Sequence, residues 1–166
     1  MSNFNLTGEA LRKSLICAVD VSEGIGTPKW EIQGYKVEEA NIDLSPDVTE
    51  ITDILGNTYS SIDGMKTAMD FGSNILRMGA KLNELMLKYW RNGELNRFAE
   101  FKAFIGYGFI GTEGAFEADM FEKCTVFPNS IGGSSRIDMP FRISFGGSKV
   151  QGTINKLTGD DIVFTA

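Results

Sequence analysis

The stretch that decides the fold runs from Trp30 to Gly64 and reads WEIQGYKVEEANIDLSPDVTEITDILGNTYSSIDG. Between Ala40 and Leu44, apolar and polar residues alternate strictly. Because successive side chains of a strand leave opposite faces, this alternation predicts a half-buried β-strand. A Ser-Pro-Asp sequence then breaks the pattern.

A hairpin is predicted directly after this break. Two strand-like segments, Val48 to Leu55 and Thr58 to Ile62, flank Gly56-Asn57, and a Gly-Asn pair between two such segments is a hairpin signal. The hairpin is polar and rich in threonine, with few residues suited to a core. A long β-arm that cannot bury itself against its own domain is suited to lie against another subunit. The leading hypothesis is therefore an assembly protein.

Composition limits the alternatives. The 166 residues are enough for one domain with its own core, and 42% hydrophobic and 23% charged residues are typical of a globular protein. We expect no membrane contact and assembly in the cytoplasm, since no apolar run is long enough for a membrane span and the N-terminus lacks a signal-peptide pattern. The net charge of −6 disfavours general nucleic-acid binding, although an acidic wall would repel a polyanion and let it pass.

The whole chain predicts a mainly β protein with one helix. Residues 1–13 are predicted to form a flexible N-terminal arm, and residues 14–166 a single β domain with the hairpin protruding at 47–64. The helix is predicted at 80–92, where apolar residues recur with helical spacing. Strand patterns on both sides of it predict an antiparallel β-sandwich or barrel with the helix packed on its flank. Pro140 predicts an edge position or a bulge for its strand, because proline has no amide donor.

Sequence features that could support catalysis or cofactor binding favour structural explanations. The chain has no histidine, which excludes nucleophiles activated by histidine. Cys17 and Cys124 lie in apolar strand patterns and are predicted to be buried thiols. The run from Gly106 to Gly111 matches the dinucleotide fingerprint G-x-G-x-x-G, but no βαβ pattern surrounds it, so glycines packed closely within a strand are favoured.

Acidic and polar residues share two predicted strand faces. Glu117 and Asp119 form one face, and Glu39, Asn41 and Asp43 form the other. Paired carboxylates can serve acid–base chemistry or bind a divalent cation. On a solvated strand face, however, acidic residues are ordinary. We therefore expect no enzymatic activity, no cofactor and no metal.

The order of these parts resembles that of the phage tail tube proteins, also called major tail proteins, of the long-tailed phages. The resemblance spans Leu15 to Phe164 and rests on the strands around Trp30, the single helix, the segments VEEANIDLSPDVTEITDILGNTY and AFEADMFEKCTVF, and the late turn FGGSKVQGT. It implies a tail-tube-like fold and a structural virion protein located in the tail. In this family, hexameric rings around a continuous inner β-barrel stack into a hollow tube through which DNA is delivered.

The resemblance also implies partners and contact residues. The partners would be copies of the chain itself, the tail terminator, the tail tip or baseplate and the tape measure proteins, with genomic DNA passing through the lumen without specific binding. The hairpin resembles the loop that bridges rings, and its candidate inter-ring contacts are Asp47, Thr49, Glu50, Thr52, Asp53, Leu55, Gly56, Asn57, Thr58 and Tyr59. The candidate lumen-facing residues are Glu39, Asn41, Asp43, Glu117 and Asp119.

Two alternatives stay open. One is the tube subunit of a related bacteriocin-like or secretion particle. The other is a non-assembling β-sandwich binding module. Such a module would need exposed aromatic residues around a groove, whereas most aromatic residues here fall on apolar faces.

Overall fold

The computed structural model describes residues 9–166, so residues 1–8 of the predicted arm lie outside the described part. The fold is mainly antiparallel β with a curled half-barrel sheet and one helix, which confirms the predicted class. The helix α1 spans Lys81–Asn92, and 3₁₀ turns lie at Arg12–Ser14 and Leu95–Ala99. The strands are β1 (Leu15–Asp20), β2 (Trp30–Ile32), β3 (Ile42–Asp43), β4 (Pro46–Thr52), β5 (Thr58–Met65), β6 (Ala68–Phe71), β7 (Phe101–Thr112), β8 (Ala115–Pro128), β9 (Phe141–Ser144), β10 (Lys149–Ile154) and β11 (Phe164–Thr165).

The main sheet has nine strands, and its pairings are antiparallel. Its order is β2-β1-β7-β8-β9-β6-β3, with β10 and β11 on a branch. The branch arises because β8 is 14 residues long and pairs with two strands in succession. Residues 116–121 pair with β10, and residues 125–128 pair with β9. The sheet therefore divides into two arms at the middle of β8.

Two hydrophobic clusters lie on opposite faces of this sheet, since the adjacent residues Ala103 and Phe104 of β7 belong to different clusters. The larger cluster joins the sheet to α1, whose predicted apolar stripe is buried as expected. The smaller cluster lies under the C-terminal segment, which contributes Leu157 and Ile162. The helix and the C-terminal segment thus cover the two faces. None of the helices in the described part of the chain is long and apolar enough to cross a membrane.

The G-x-G-x-x-G run serves close packing, as predicted. A Cβ atom at Gly106 would lie 2.7 Å from Cδ1 of Ile154 and 2.8 Å from Cγ1 of Ile16. A Cβ atom at Gly108 would collide with the Leu157 side chain. The run lies within β7 and is followed by β8 rather than by the helix that a dinucleotide site requires.

The helix begins with a cap supplied from a distant strand. Ala80 offers no side-chain cap, and the carboxylate of Glu31 on β2 instead accepts the N–H of Lys81 at 2.8 Å and that of Leu82 at 3.4 Å. At the other end, Gly93 takes a left-handed conformation and donates its N–H to the carbonyl of Trp90. Glu31 therefore ties an edge strand of the sheet to the N-terminus of α1.

We expect Glu31→Ala to lower the free energy of unfolding by about 1 kcal/mol, because it leaves two helix N–H groups without their carboxylate acceptor. Urea denaturation followed by circular dichroism measures the change. The matched control is Glu84→Ala, which removes an exposed carboxylate of the first helical turn and should change stability by less than about 0.5 kcal/mol. Equal stability of the two variants would contradict the capping role.

Two sequence-based expectations need correction. The prediction that the strand at Pro140 lies at an edge or carries a bulge is wrong. Pro140 precedes β9, and β9 lies inside the sheet between β8 and β6. The proline stands outside the ladder, so its missing donor removes no sheet hydrogen bond. The strand predicted at 40–44 is shortened to β3, because only Ile42 and Asp43 find partners on β6. Glu39 and Asn41 therefore lie outside the strand.

A projecting hairpin as the candidate assembly site

The predicted hairpin forms a sheet of its own. Strands β4 and β5 pair from Pro46 opposite Met65 to Thr52 opposite Thr58, and this two-stranded sheet is not bonded to the main one. Every residue of both strands is exposed. The chain leaves the main sheet at the end of β3 and returns to it at β6, where the N–H of Lys66 donates to the carbonyl of Ser45. The two strands of the hairpin therefore form an exposed ribbon that buries little of itself.

Apolar side chains occupy both faces of the ribbon. Val48 is paired with Ile62, and Ile51 is paired with Tyr59. Val48 and Ile51 are an odd number of positions apart, so the two pairs point to opposite faces. All four side chains are more than half exposed. Each face of the ribbon therefore carries one exposed apolar pair.

The tip is an ordered turn held by Asp53. Its carboxylate accepts the N–H groups of Asn57 at 2.9 Å and Leu55 at 2.8 Å. These bonds, the one from Asn57 foremost, hold the pKa of Asp53 below its usual range. The turn displays Ile54, which is fully exposed, and Leu55, which is 81% exposed. The tip is therefore an apolar end on a turn with defined geometry.

We expect the turn to lose its order when Asp53 is protonated. The lowered pKa means that the turn gains stability from Asp53 above the unfolded-state value of about 3.9 and loses it as the pH falls through the lower folded-state value. The amide chemical shifts of Leu55 and Asn57 should therefore be constant above about pH 5 and change in strong acid. Asp53→Ala should show the disordered shifts at every pH. Asp53→Asn keeps an acceptor without a titrating group, and a pH response in that variant would contradict the assignment.

The ribbon is acidic throughout. Residues 46–65 contain Asp47, Glu50, Asp53 and Asp63 and no lysine or arginine. Asp63 accepts the Thr49 hydroxyl across the ribbon, and Asp53 is used by the turn, so Asp47 and Glu50 carry the carboxylates that are free for a partner. The surface that receives this ribbon must combine apolar area with positive or neutral charge.

The lumen-facing candidates lie in two separate places. Glu117 and Asp119 share a face of β8, whereas Asp43 lies on β3, three strands away in the sheet order. The Asp119 carboxylate accepts the Tyr107 hydroxyl at 3.1 Å and pairs with Lys149 at 3.3 Å. Asp119 therefore adds little uncompensated negative charge to its face, and a repelling wall there would depend on Glu117.

The other group is held by local hydrogen bonds. The Glu39 carboxylate accepts the side-chain amide of Asn41 at 3.2 Å. Asp43 accepts the N–H of Ser45 at 3.0 Å, and hydrogen bonds from the Ser45 side chain and backbone lower the pKa of Asp43. These three residues flank the start of the hairpin, so their role as lumen lining stays a prediction.

Sequence reasoning missed a polar cluster beside the end of α1. Glu23, in the loop after β1, accepts the Lys88 ammonium at 3.1 Å and the Tyr89 hydroxyl at 3.0 Å, and Arg97 lies 3.7 Å away. The Lys88 hydrogen bond is the main cause of a lowered Glu23 pKa. The cavity beside it measures about 220 Å³. These residues come from three separate segments of the chain, so no local sequence pattern predicts the cluster.

Within the described part of the chain, the two thiols are buried and the acidic residues form no group that could hold a metal ion. Cys17 and Cys124 are buried and free, as predicted, and burial raises the pKa of Cys124 to about 11. Burial likewise raises the pKa of Cys17, so both thiols stay protonated at neutral pH. Among residues 9–166 no group of three or more His, Cys, Asp or Glu is placed to hold a metal ion.

No protein-family model matches the sequence, and no curated protein matches it. The solved structures that match this chain include the following two. The cap of the anti-feeding prophage, described as its tube terminating cap, superposes with a TM-score of 0.50 and 14% identity over 91% of this chain and 95% of that one. The sheath/tube terminator of an extracellular contractile injection system, in its extended state, gives a TM-score of 0.49 and 14% identity over 89% and 99% of the two chains. At this identity, the likeness to the cap is a likeness of fold.

Proposed function

We propose that this chain is a structural, non-enzymatic component of a phage-tail-like particle and that it acts at the end of the tube, as a cap or terminator. The observation that carries the proposal is the fold shared with a tube terminating cap over almost the full length of both chains. The resemblance of the sequence to tail tube proteins points to the same kind of particle. Its expected partners are copies of itself and the tube and sheath components that it meets.

The exposed hairpin supports an assembly role. Its strands leave four large apolar pair residues and a two-residue apolar tip in contact with water. A segment of this kind gains stability when a partner covers it, and its unpaired strand edges can also add to a neighbouring sheet. The likeness to the cap supports a role in a particle of this kind, and the exposed hairpin supports a role in contacts between subunits.

The tube subunit is the second candidate, and the hairpin favours it as well. The same heterologous contact between copies closes into a ring when the rotation between neighbours returns to its start, and it continues as a filament when it does not. A cap would stop at a closed ring, whereas a tube subunit would add further rings. The two candidates therefore differ in whether assembly stops at one ring or continues with further rings. They do not differ in the residues that make the contact between copies.

A binding module with a small-molecule site has less support. The larger of two hollows near the end of α1, about 580 Å³ beside Leu95 and Glu100, is wide open to solvent. The cavity beside Glu23 has a volume of about 220 Å³, below the range of about 300–1,000 Å³ that is common for ligand pockets. Its wall includes the ion pairs of Glu23 with Lys88 and Arg97. These pairs join the loop after β1 to the helix, so the cluster has a structural use already.

Electron microscopy of tail-like particles labelled with a gold-conjugated antibody against this chain tests the proposal. We expect gold at one end of each tube. Gold spaced along the whole tube would favour the tube subunit over the cap. Particles that carry no gold, from cells in which the chain is made, would reject both candidates.

A further inference from the structure

A cationic and aromatic patch lies at the opposite end of the β3–β6 ladder from the hairpin. It consists of Tyr35, Lys36, Arg77 and Met78, and we call it the acceptor patch. The Arg77 guanidinium stands 4.2 Å from the centroid of the Tyr35 ring, and the Lys36 ammonium 5.4 Å from it. Met78 is 97% exposed. The patch therefore combines two positive charges with exposed aromatic and aliphatic surface.

Two adjacent turns present this patch. The N–H of Val37 donates to the carbonyl of Gly34 at 3.0 Å, which closes a turn with Tyr35 and Lys36 at its corners. The second turn, at 77–80, passes through Gly79, whose φ is +83°. The residues of this second turn follow β6 and precede α1. Turns held by backbone geometry keep their side chains displayed without a bound partner.

The cations of the patch lack acidic partners within the described residues. Among residues 9–166, the ion pairs involve Lys81, Lys88, Arg97, Arg142 and Lys149, and neither Lys36 nor Arg77 is among them. Glu38 and Glu39 are close in sequence but lie beyond ion-pair distance of both. The patch therefore offers two charges that an incoming carboxylate can neutralise.

The hairpin and the patch stand at opposite ends because of the topology. The hairpin connects the end of β3 to the start of β6, whereas the turn at 34–37 precedes β3 and the turn at 77–80 follows β6. Gly34 also lies beside Phe71, the last residue of β6. A contact between the hairpin of one copy and the patch of the next is consequently head-to-tail and heterologous.

Taking the assembly role proposed above as its basis, we infer that the hairpin of one copy docks on the acceptor patch of the next copy of this chain. Glu50 shares a face of the ribbon with Val48 and its partner Ile62. On that face the Glu50 carboxylate meets Lys36 and Arg77, and the two apolar side chains cover Tyr35 and Met78. Asp47 leaves the opposite face and adds to the negative charge of the ribbon. The charges are opposite in sign, and both surfaces pair charge with apolar area. One interface of this kind links every copy to two neighbours.

Charge reversal on each side tests this pairing. The patch variant is Lys36→Glu with Arg77→Glu, and we expect at least a tenfold weaker self-association in sedimentation velocity, on the order of the effect of close charge pairs. The hairpin variant is Asp47→Lys with Glu50→Lys, which should be equally defective. The chain that carries all four substitutions should recover association to within about threefold of the wild type. The matched control, Lys29→Glu with Lys102→Glu, reverses two exposed cations elsewhere and should associate normally.

Mixing provides a second readout that misfolding does not mimic. A chain whose ribbon, residues 47–64, is replaced by a short glycine-serine linker keeps only the acceptor patch, and the patch variant keeps only the hairpin. Neither should associate alone, yet an equimolar mixture should give a one-to-one pair. The inference is overturned if the patch variant associates like the wild type, if the fourfold variant gains nothing, if the mixture stays monomeric, or if the wild type never associates.

These results separate the inference from the proposed function. If gold labelling finds the chain at the tube end but patch reversal leaves self-association unchanged, the tail role stands and the docking site is wrong. If patch reversal breaks self-association but no label appears on tail-like particles, the docking site stands and the tail role is wrong.

Discussion

Deleting the hairpin tip, residues Leu55 to Thr58, is expected to abolish assembly and leave the domain folded. The deleted residues are exposed and belong to neither hydrophobic cluster, so the melting temperature should stay within about 2 °C of the wild type. Self-association should weaken by about 30-fold or more, the size expected when a central apolar contact of an interface is removed. Differential scanning calorimetry measures the first quantity, and sedimentation velocity with negative-stain microscopy measures the second.

The deletion also disrupts the turn, so a milder variant is needed beside it. Ile54→Ser with Leu55→Ser keeps the Asp53 hydrogen bonds to the backbone and removes only the apolar tip. It should weaken association nearly as much as the deletion. Ile25→Ser is the matched control, because Ile25 is 78% exposed on a different loop. Normal rings or tubes from the deletion variant would refute the role of the hairpin in assembly.

The hairpin and the helix could be predicted from sequence because their signals are local. The Gly-Asn pair between two strand patterns fixed the ribbon, and the helical spacing from Leu82 to Tyr89 fixed the buried face of α1. The glycines of the G-x-G-x-x-G run were assigned to packing because no βαβ pattern surrounds them, and the close approach of Ile154 and Ile16 to Gly106 supplies the reason. In each case the residues on which the prediction depended are neighbours along the chain.

The features that sequence could not supply depend on distant segments. Glu31 caps a helix that begins 50 residues later, and Glu23 binds side chains more than 60 residues away. The acceptor patch joins two turns that are separated by the whole hairpin and β6. The resemblance to tube proteins predicted a subunit within the tube, whereas the fold is similar to that of a tube terminating cap. That distinction depends on how the contact between copies repeats.

The net charge of the chain limits how copies of it can pack together. Each copy carries a net charge of −6, so stacked copies repel one another unless each contact pairs opposite charges. The docking contact inferred above places a ribbon carboxylate against two cations and offsets part of this repulsion at each interface. Added salt screens both this attraction and the repulsion between the net charges. Stacking of rings would require further contacts, which are open to the same tests.

The largest loss of stability is expected from Phe104→Ala. Phe104 is fully buried in the smaller cluster, where its ring makes an edge contact with Trp30 at 4.9 Å and stacks on Phe164 at 6.3 Å. Removing it leaves a cavity beneath the C-terminal segment and should lower the free energy of unfolding by about 3–5 kcal/mol. The melting temperature should fall by roughly 6–20 °C.

The matched control for Phe104→Ala is Phe109→Ala on the same strand, where the side chain is only half-buried and the expected loss is about 1 kcal/mol. Urea denaturation gives both values. Tyr59→Ala on the hairpin removes a third aromatic ring that is exposed in the monomer, so it should leave stability unchanged and weaken association. Phe104→Ala should thus have the larger effect on stability, and Tyr59→Ala the larger effect on association. This difference separates the residues that stabilise the domain from those that join one copy to the next. Equal losses at positions 104 and 109 would mean that the C-terminal segment does not close a second core.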